Sequence, residues 1–299
     1  MTIQSLSTLV SLAKAKGIRR VAVAAAADKH VLEAVFMARS EGIAEPILVG
    51  SRKDIEAICN ELQVNLTGIE LIDIADPYAA SVAAVSVIRK GNAEILMKGM
   101  VGTGPMLKAV LDKEGGLRKG STLSHVALFE SPYYHKLLGV TDAAMNVAPE
   151  FDEKIEIIKN AVELFNKLGI ANPKVAIICA VETVNSRMEA TVHAAMLTQM
   201  NRRKQIKGCI IDGPLAIDNA VSAESAEQKG IESQVAGDVD LLVAPDINSG
   251  NVLYKTLNFL GGATTAAVIM GAKVPIVLTS RADSERSKLM SIALAAAIS

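Results

Sequence analysis

The sequence predicts an α/β protein made of two α/β domains with mainly parallel sheets and an interdomain cleft. Short β-branched runs alternate with amphipathic stretches along most of the chain. The strand-like runs are continuously apolar, as expected of strands covered by helices on both faces of a parallel sheet. A chain of 299 residues is also long enough for two such domains sharing a cleft.

Taken in order, the strand RRVAVAAAA at 19–27 is followed by the helix DKHVLEAVFMARSEG, the strand PILVG, the helix SRKDIEAICNEL, the strand IELIDI, the Ala-rich helix PYAASVAAVSVIRKG and the strand AEILMKG. Residues 114–150 carry more turn residues and weak helical periodicity, and the crossing into the second lobe is placed near their end. A second series then begins: helix FDEKIEIIKNAVELFNKLG, strand KVAIICAV, a helix around MEATVHAAMLTQM, strands KGCIIDG and VDLLVAPD, a helix around NVLYKTLNFLGG, and strand VPIVLTS. The helix SERSKLMSIALAAAI closes the chain. The expected domains are 1–140 with 270–299, the last strand and helix returning to the first domain, and 141–269. No repeat or low-complexity linker interrupts them.

Composition narrows the function. Lys+Arg at 31 against Asp+Glu at 32 gives a net charge of -1, so no global positive field draws the chain to nucleic acid or an anionic membrane. With no Trp and 3% aromatics there are few rings on which bases could stack. Mean hydropathy is +0.32, yet every apolar run falls short of the roughly 18 residues that span a bilayer. The apolar surplus therefore belongs to a core and a subunit interface, and a homodimer is expected. Three scattered cysteines without metal-ligand spacing, and no signal-peptide pattern, point to the reducing cytoplasm.

In parallel α/β sheets, ligands gather at the C-terminal ends of strands, beside helix N-termini. The candidates there are Lys98 to Thr103, Ser121 to His125, Thr141 to Asn146, Glu182 to Asn185, Asp212 to Asp218, Pro245 to Asn251 and Ser280 to Asp283. KGMVGTGPML is no Walker loop, since Pro105 and Met106 stand where Lys and Ser/Thr are needed, and Leu107 breaks the dinucleotide fingerprint. It is either a turn needing positive φ or a backbone cradle for phosphate or a pantetheine arm. In VPIVLTSRADSERSKLM a buried strand ends in Thr279-Ser280-Arg281, and Asp283 or Ser284 can cap the next helix; this is either an anion site or a plain cap beside a solvated Arg281. Asp142, Asn146 and Glu182 are either turn or cap residues or line the cleft. The same choice holds for Asn248 and Asn251. Cys179, inside an apolar strand, reads as core. His30, His125, His135 and His193 form no ligand-like pair, so no metal is expected.

Several of these segments together resemble the phosphate acetyltransferase and phosphate butyryltransferase family. The stretches that carry the likeness are DGPLAID at 212–218, PDINSGNVLYKTLNFLGGA at 245–263 and VPIVLTSR at 274–281, with GSTLSHVALFE and VTDAAMNVAP upstream. KGMVGTGPMLKAVLDKEGGLR and SRADSERSKLMSIALA are most similar to the butyryl branch. The acetyl branch places a catalytic Asp where this chain has Ser287, and an Arg where it has Phe259.

The resemblance implies a two-domain fold like that of isocitrate and isopropylmalate dehydrogenases, with acyl-CoA and inorganic phosphate bound together in the cleft. It implies acyl transfer between CoA and phosphate through an acyl phosphate, with no tightly bound cofactor and no metal. For that reaction Asp283, the nearest carboxylate in the loop and not the position of the acetyl branch's Asp, is expected to take the thiol proton, Ser280 to hydrogen-bond the sulfur and Arg281 to stabilise phosphate and oxyanion. Thr103, Ser121 and Ser124 are expected to donate to phosphate, and Lys98 or Lys119 to supply charge. Two other readings remain. One is a decarboxylating 2-hydroxy-acid dehydrogenase, which would need an Asp cluster for a divalent metal. The other is a non-catalytic protein that binds acyl-CoA or acyl phosphate.

Overall fold

The computed structural model describes residues 5–278 and 284–299, which form two compact units. The first unit comprises Ser7–Ser121 and Ala266–Ser299. Its leading elements are α1 (Leu6–Lys16), β1 (Arg19–Ala24), α2 (Lys29–Ser40), β2 (Ala44–Gly50), α3 (Arg52–Glu61), β3 (Glu70–Asp73), α4 (Pro77–Arg89), β4 (Ile95–Lys98) and α5 (Thr103–Val110). Helix starts follow their capping residues: Asp28 accepts from Val31 N, Ser51 from Asp54 N and Asp76 from Ala79 N, with Pro77 in the first turn of α4.

The second unit centres on Thr122–Thr265. It holds β5 (Ser124–Glu130), β6 (Leu138–Thr141), α6 (Phe151–Lys167), β7 (Lys174–Ile178), α7 (Glu189–Arg202), β8 (Ile210–Leu215), α8 (Ile217–Val221), α9 (Ala223–Gln228), β9 (Leu241–Val243) and α10 (Ile247–Phe259). The chain then completes the first unit with β10 (Thr264–Met270), β11 (Ile276–Val277) and α11 (Glu285–Ile298).

Strand order in the first unit is β3-β2-β1-β4-β11-β10, parallel except where β11 meets β10. The continuous apolar runs have the predicted cause: Val21 to Ala24 of β1 and Ile95 to Met97 of β4 are wholly buried. In α11, Leu289 to Ile298 are buried around the whole helix, and α11 packs on α2. In the second unit the order is β5-β6-β9-β7-β8, parallel except for the β5–β6 hairpin.

The crossing between units falls at 121/122, ahead of the 140/141 read from sequence, and the return at 265/266. The reason is pairing: β5 bonds to β6, and β6 to β9, which draws residues 124–141 into the second unit. At the N-terminal ends of β7 and β9, Asp238 receives Lys174 (2.6 Å), Lys136 (2.9 Å) and His135 (2.8 Å), while Asp240 receives Lys136 (2.7 Å). This ion-pair knot holds the end of the sheet away from the candidate site. Among the described residues no helix is long and apolar enough to cross a membrane.

Candidate functional site

A dense polar arrangement at strand C-termini lies in the second unit, where β6, β9 and the start of α10 meet. Thr141 ends β6, its hydroxyl donating to His125 O at 2.8 Å, and Ala244 N donates to Thr141 O at 2.7 Å. The next residue, Asp142, is 3% exposed. Its Oδ1 accepts from Ala144 N (2.8 Å) and Met145 N (2.9 Å), and its Oδ2 from Asn146 Nδ2 (2.6 Å). Asn146 donates its other amide hydrogen to Leu123 O at 2.9 Å. Asp142 and Asn146 are therefore brought together, and as the two anchors of one turn.

Helix α10 explains the Asn-Ser-Gly-Asn-x-x-Tyr run. Asp246 is the cap, accepting from Ser249 N at 2.9 Å, so neither Asn248 nor Asn251 caps. Gly250 lies against the Asp142 backbone, and Asn251 Nδ2 donates to Ala143 O at 3.0 Å. One turn on, Tyr254 stands edge-on to His125 and Phe129, at 5.6 and 5.4 Å between centroids. The motif is thus a docking face for the 142–147 turn, and Asn248 is exposed. Phe259, at the other end of α10, is 65% exposed.

Glu182 does not cap α7, whose N-cap is Met188. Its Oε2 lies 3.5 Å from both Lys229 Nζ and Asn219 Nδ2, and Lys229 also reaches Asp218 at 3.2 Å. Ser124 is fully buried and its Oγ accepts from Asn160 Nδ2 at 3.0 Å. Cys179 is buried and its thiol is pushed up to about 11 by that burial, so it stays protonated and inert.

One group escaped the sequence reading. Lys154, in the first turn of α6, is 5% exposed, with Nζ 3.0 Å from His193 Nδ1. Burial lowers its pKa, against the opposing pull of Glu189 and of more distant anionic groups. The signal was present: Lys154 shares the apolar i, i+3, i+4, i+7 face with Ile157, Ile158 and Ala161.

In the first unit, β4 ends at Lys98, whose Nζ donates to Gly99 O (3.1 Å) and Val101 O (3.2 Å). None of Gly99, Gly102 and Gly104 has positive φ, so the turn reading of this segment fails. Gly99 is required by approach instead, since a Cβ there would stand 2.2 Å from Ala25 O. Thr103 opens α5 and is exposed, and no side chain caps that helix. Lys119 and Ser121 are exposed. Ser280, Arg281 and Asp283 lie outside the described residues. On either side, β11 and α11 stand where expected, and of the two cap candidates Ser284 is the one observed, accepting from Ser287 N at 3.1 Å.

Among the described residues no Asp cluster of the kind a decarboxylating dehydrogenase needs is found. Among the same described residues, the one set of three metal-type donors is His30, Glu33 and Glu285.

This mainly parallel α/β fold has counterparts among known proteins. The family model for phosphate acetyl/butaryl transferase matches residues 4–79 and 74–296, and the chain belongs to that family. It is 45% identical over 296 residues to the phosphate butyryltransferase of Clostridium acetobutylicum, covering 99% of this chain and 98% of that one. It is 46% identical over 291 residues to the phosphate acetyltransferase of Thermotoga maritima, covering 97% and 98%. The crystal structure of a branched-chain phosphotransacylase from Enterococcus faecalis V583 superposes with a TM-score of 0.81 at 35% identity, over 93% of this chain and 97% of the other.

Proposed function

We propose that the protein moves a butanoyl group between coenzyme A and inorganic phosphate: butanoyl-CoA + phosphate ⇌ butanoyl phosphate + CoA. The observation that carries this reading is 45% identity to a phosphate butyryltransferase over nearly the full length of both chains. The butyryl-like segments KGMVGTGPML and SRADSERSKLM support the chain length. An acetyl preference is the second reading, favoured by the equally similar Thermotoga maritima acetyltransferase.

In the direction of acyl-phosphate synthesis, a phosphate oxygen attacks the thioester carbonyl and the CoA sulfur leaves. In reverse, the CoA thiol loses its proton and attacks the acyl phosphate, and phosphate leaves. A thiol of pKa near 8.5 is mostly protonated at pH 7, a cost of about 2 kcal/mol that a base or cation must offset. We assign Asp283 as proton acceptor, Ser280 as hydrogen-bond donor to sulfur and Arg281 as the cation on phosphate and oxyanion. Thr103, Ser121 and either Lys98 or Lys119 bind phosphate, with the uncapped first turn of α5 adding backbone N–H groups. Acyl-CoA is a substrate and no tightly bound cofactor is needed. The protein works in the cytoplasm as a homodimer on this reading.

The test is phosphate-dependent thiol release from acetyl-, butanoyl-, isobutanoyl- and hexanoyl-CoA, for the wild type and Arg281→Ala. Expected is a maximum at four carbons and a loss of at least about 3 kcal/mol of transition-state stabilisation in the variant. A maximum at acetyl selects the second reading. Absence of phosphate-dependent release with every substrate, with tight acyl-CoA binding retained, would identify a binding protein instead.

A further inference from the structure

The geometry points to a binding site for one divalent transition-metal ion, of the zinc or manganese class, formed by His30 and Glu33 on α2 and by Glu285 in the first turn of α11. One ligand atom from each of the three side chains lies within 4.8 Å of the other two. His30 and Glu33, three residues apart, share a helix face, with Nδ1 and Oε2 3.2 Å apart. Glu285 joins them because α11 packs on α2.

Charge supports the assignment. Carboxylate oxygens of Glu33 and Glu285 lie within 4.8 Å of each other; Lys29 acts on Glu33 only at coulombic range, and among the described residues neither carboxylate makes an ion pair with a lysine or arginine, the one such contact of Glu33 being His30. A divalent cation relieves that repulsion. A 310 Å³ hollow lined by Glu33 and Glu285, with Phe36, Met37, Ser40, Leu62 and Val64 as its other walls, adjoins the donors. It gives a hydrated ion an entry path and room for the waters that complete its shell. One imidazole and two carboxylates suit zinc, manganese, cobalt or nickel better than calcium or magnesium, which favour all-oxygen shells.

Bound there, the ion fastens the start of α11 to α2. Glu285 follows residues 279–283 directly after the Ser284 cap, so the ion braces the helix that succeeds the Ser280–Asp283 stretch. The site is independent of the acyl-transfer reading. Sequence inspection for paired histidines passed over it, since its ligands are one His, a Glu one turn on and a Glu near the other end of the chain.

The test is calorimetric titration of the chelator-stripped full-length protein with Zn²⁺ alone, and with Mn²⁺ alone. Expected is saturable binding of one ion per chain, with a rise in Tm. His30→Ala and Glu285→Gln should each weaken it at least roughly tenfold, since even partners outside the coordination shell matter that much. Glu56→Gln, an exposed carboxylate on α3 paired with Arg52, should leave it unchanged. Co²⁺ gives a second readout, a visible ligand-field band lost in both site variants. The proposal is overturned by absence of one-site binding, or by binding whose affinity neither site variant moves.

Discussion

Gly250 packs so closely on Asp142 that a Cβ at position 250 would stand 2.1 Å from the Asp142 carbonyl oxygen. That obstacle is backbone, and Asp142 is itself pinned by Asn146 and two backbone N–H groups, so it cannot yield cheaply. Gly250→Ala must therefore push α10 away from the end of β6, at an expected cost of about 3 kcal/mol, the upper part of the usual range for overpacking. Urea unfolding measures it. A change below about 0.5 kcal/mol would mean that the turn and helix are not held as described.

All three thiols should be silent towards a neutral-pH disulfide reagent until the protein unfolds. Cys59, Cys179 and Cys209 are buried, and burial raises all three pKa values, those of Cys179 and Cys209 to about 11. The thiolate is the reactive species, so both access and ionisation oppose reaction. Rapid titration of even one thiol in the folded protein would contradict the packing around α3, β7 or β8.

Acid sensitivity should trace in part to Asp238. Burial alone would raise its carboxyl, but hydrogen bonds from Lys174, Lys136 and His135 outweigh it and hold the group well below the usual 3.8. With the folded value depressed, the stabilisation is fully present above the unfolded value, and is lost as pH falls from there through the folded one. Asp238→Asn should cost roughly 1 kcal/mol at pH 7, discounted because the side chain is 44% exposed, and should flatten the stability profile below about pH 4. An unchanged acid limb in the variant would assign acid unfolding to other carboxylates.

The parallel βα units were legible because most strands, β1, β2, β4 and β7 among them, centre on short apolar runs next to helix signals, whereas β3 is half exposed and the helices α8 and α9 between β8 and β9 were missed. The β5–β6 hairpin was not, although SHVALFE is as apolar as the others. It returns through Ser131 to Leu137 without a helix, so the alternation that identified its neighbours is absent. β10 was hidden likewise, between Gly261-Gly262 and Gly271. At the candidate site, residue types were legible and their partners were not. Asp142 and Asn146 read from the sequence as turn or cleft residues, and that they anchor one turn, that Asp246 caps α10, that Gly99 and Gly250 are demanded by close backbone approach, and that Lys229 engages Glu182 depend on tertiary packing. His30 and Glu285 meet only because α2 and α11 pack together.

Lys154 offers a test in which stability and function separate. Its ammonium sits on the apolar face of α6, and among the described residues no carboxylate lies within ion-pair distance of it; its close partner is His193 Nδ1. Burial lowers the Lys154 pKa from the usual 10.5. Between the folded and unfolded values the unfolded chain holds more protons, so this residue makes stability rise with pH across that window, and its penalty is full below the folded value. Lys154→Met keeps most of the side-chain volume and removes the charge, leaving His193 half-buried and within reach of water. The variant should gain roughly 1 to 4 kcal/mol at pH 7, as when buried charges yield to apolar side chains. Compared at pH 7 and about pH 10, the variant should also lack the rise in stability that the lowered Lys154 pKa produces below the usual 10.5. Urea unfolding at both pH values, with kcat/KM measured beside it, distinguishes the cases. A more stable variant with unchanged kcat/KM makes Lys154 a packing liability. A more stable variant that has lost turnover makes it a charge retained for an anionic substrate, and a destabilised variant would show that the Lys154–His193 contact outweighs the cost of burying the ammonium.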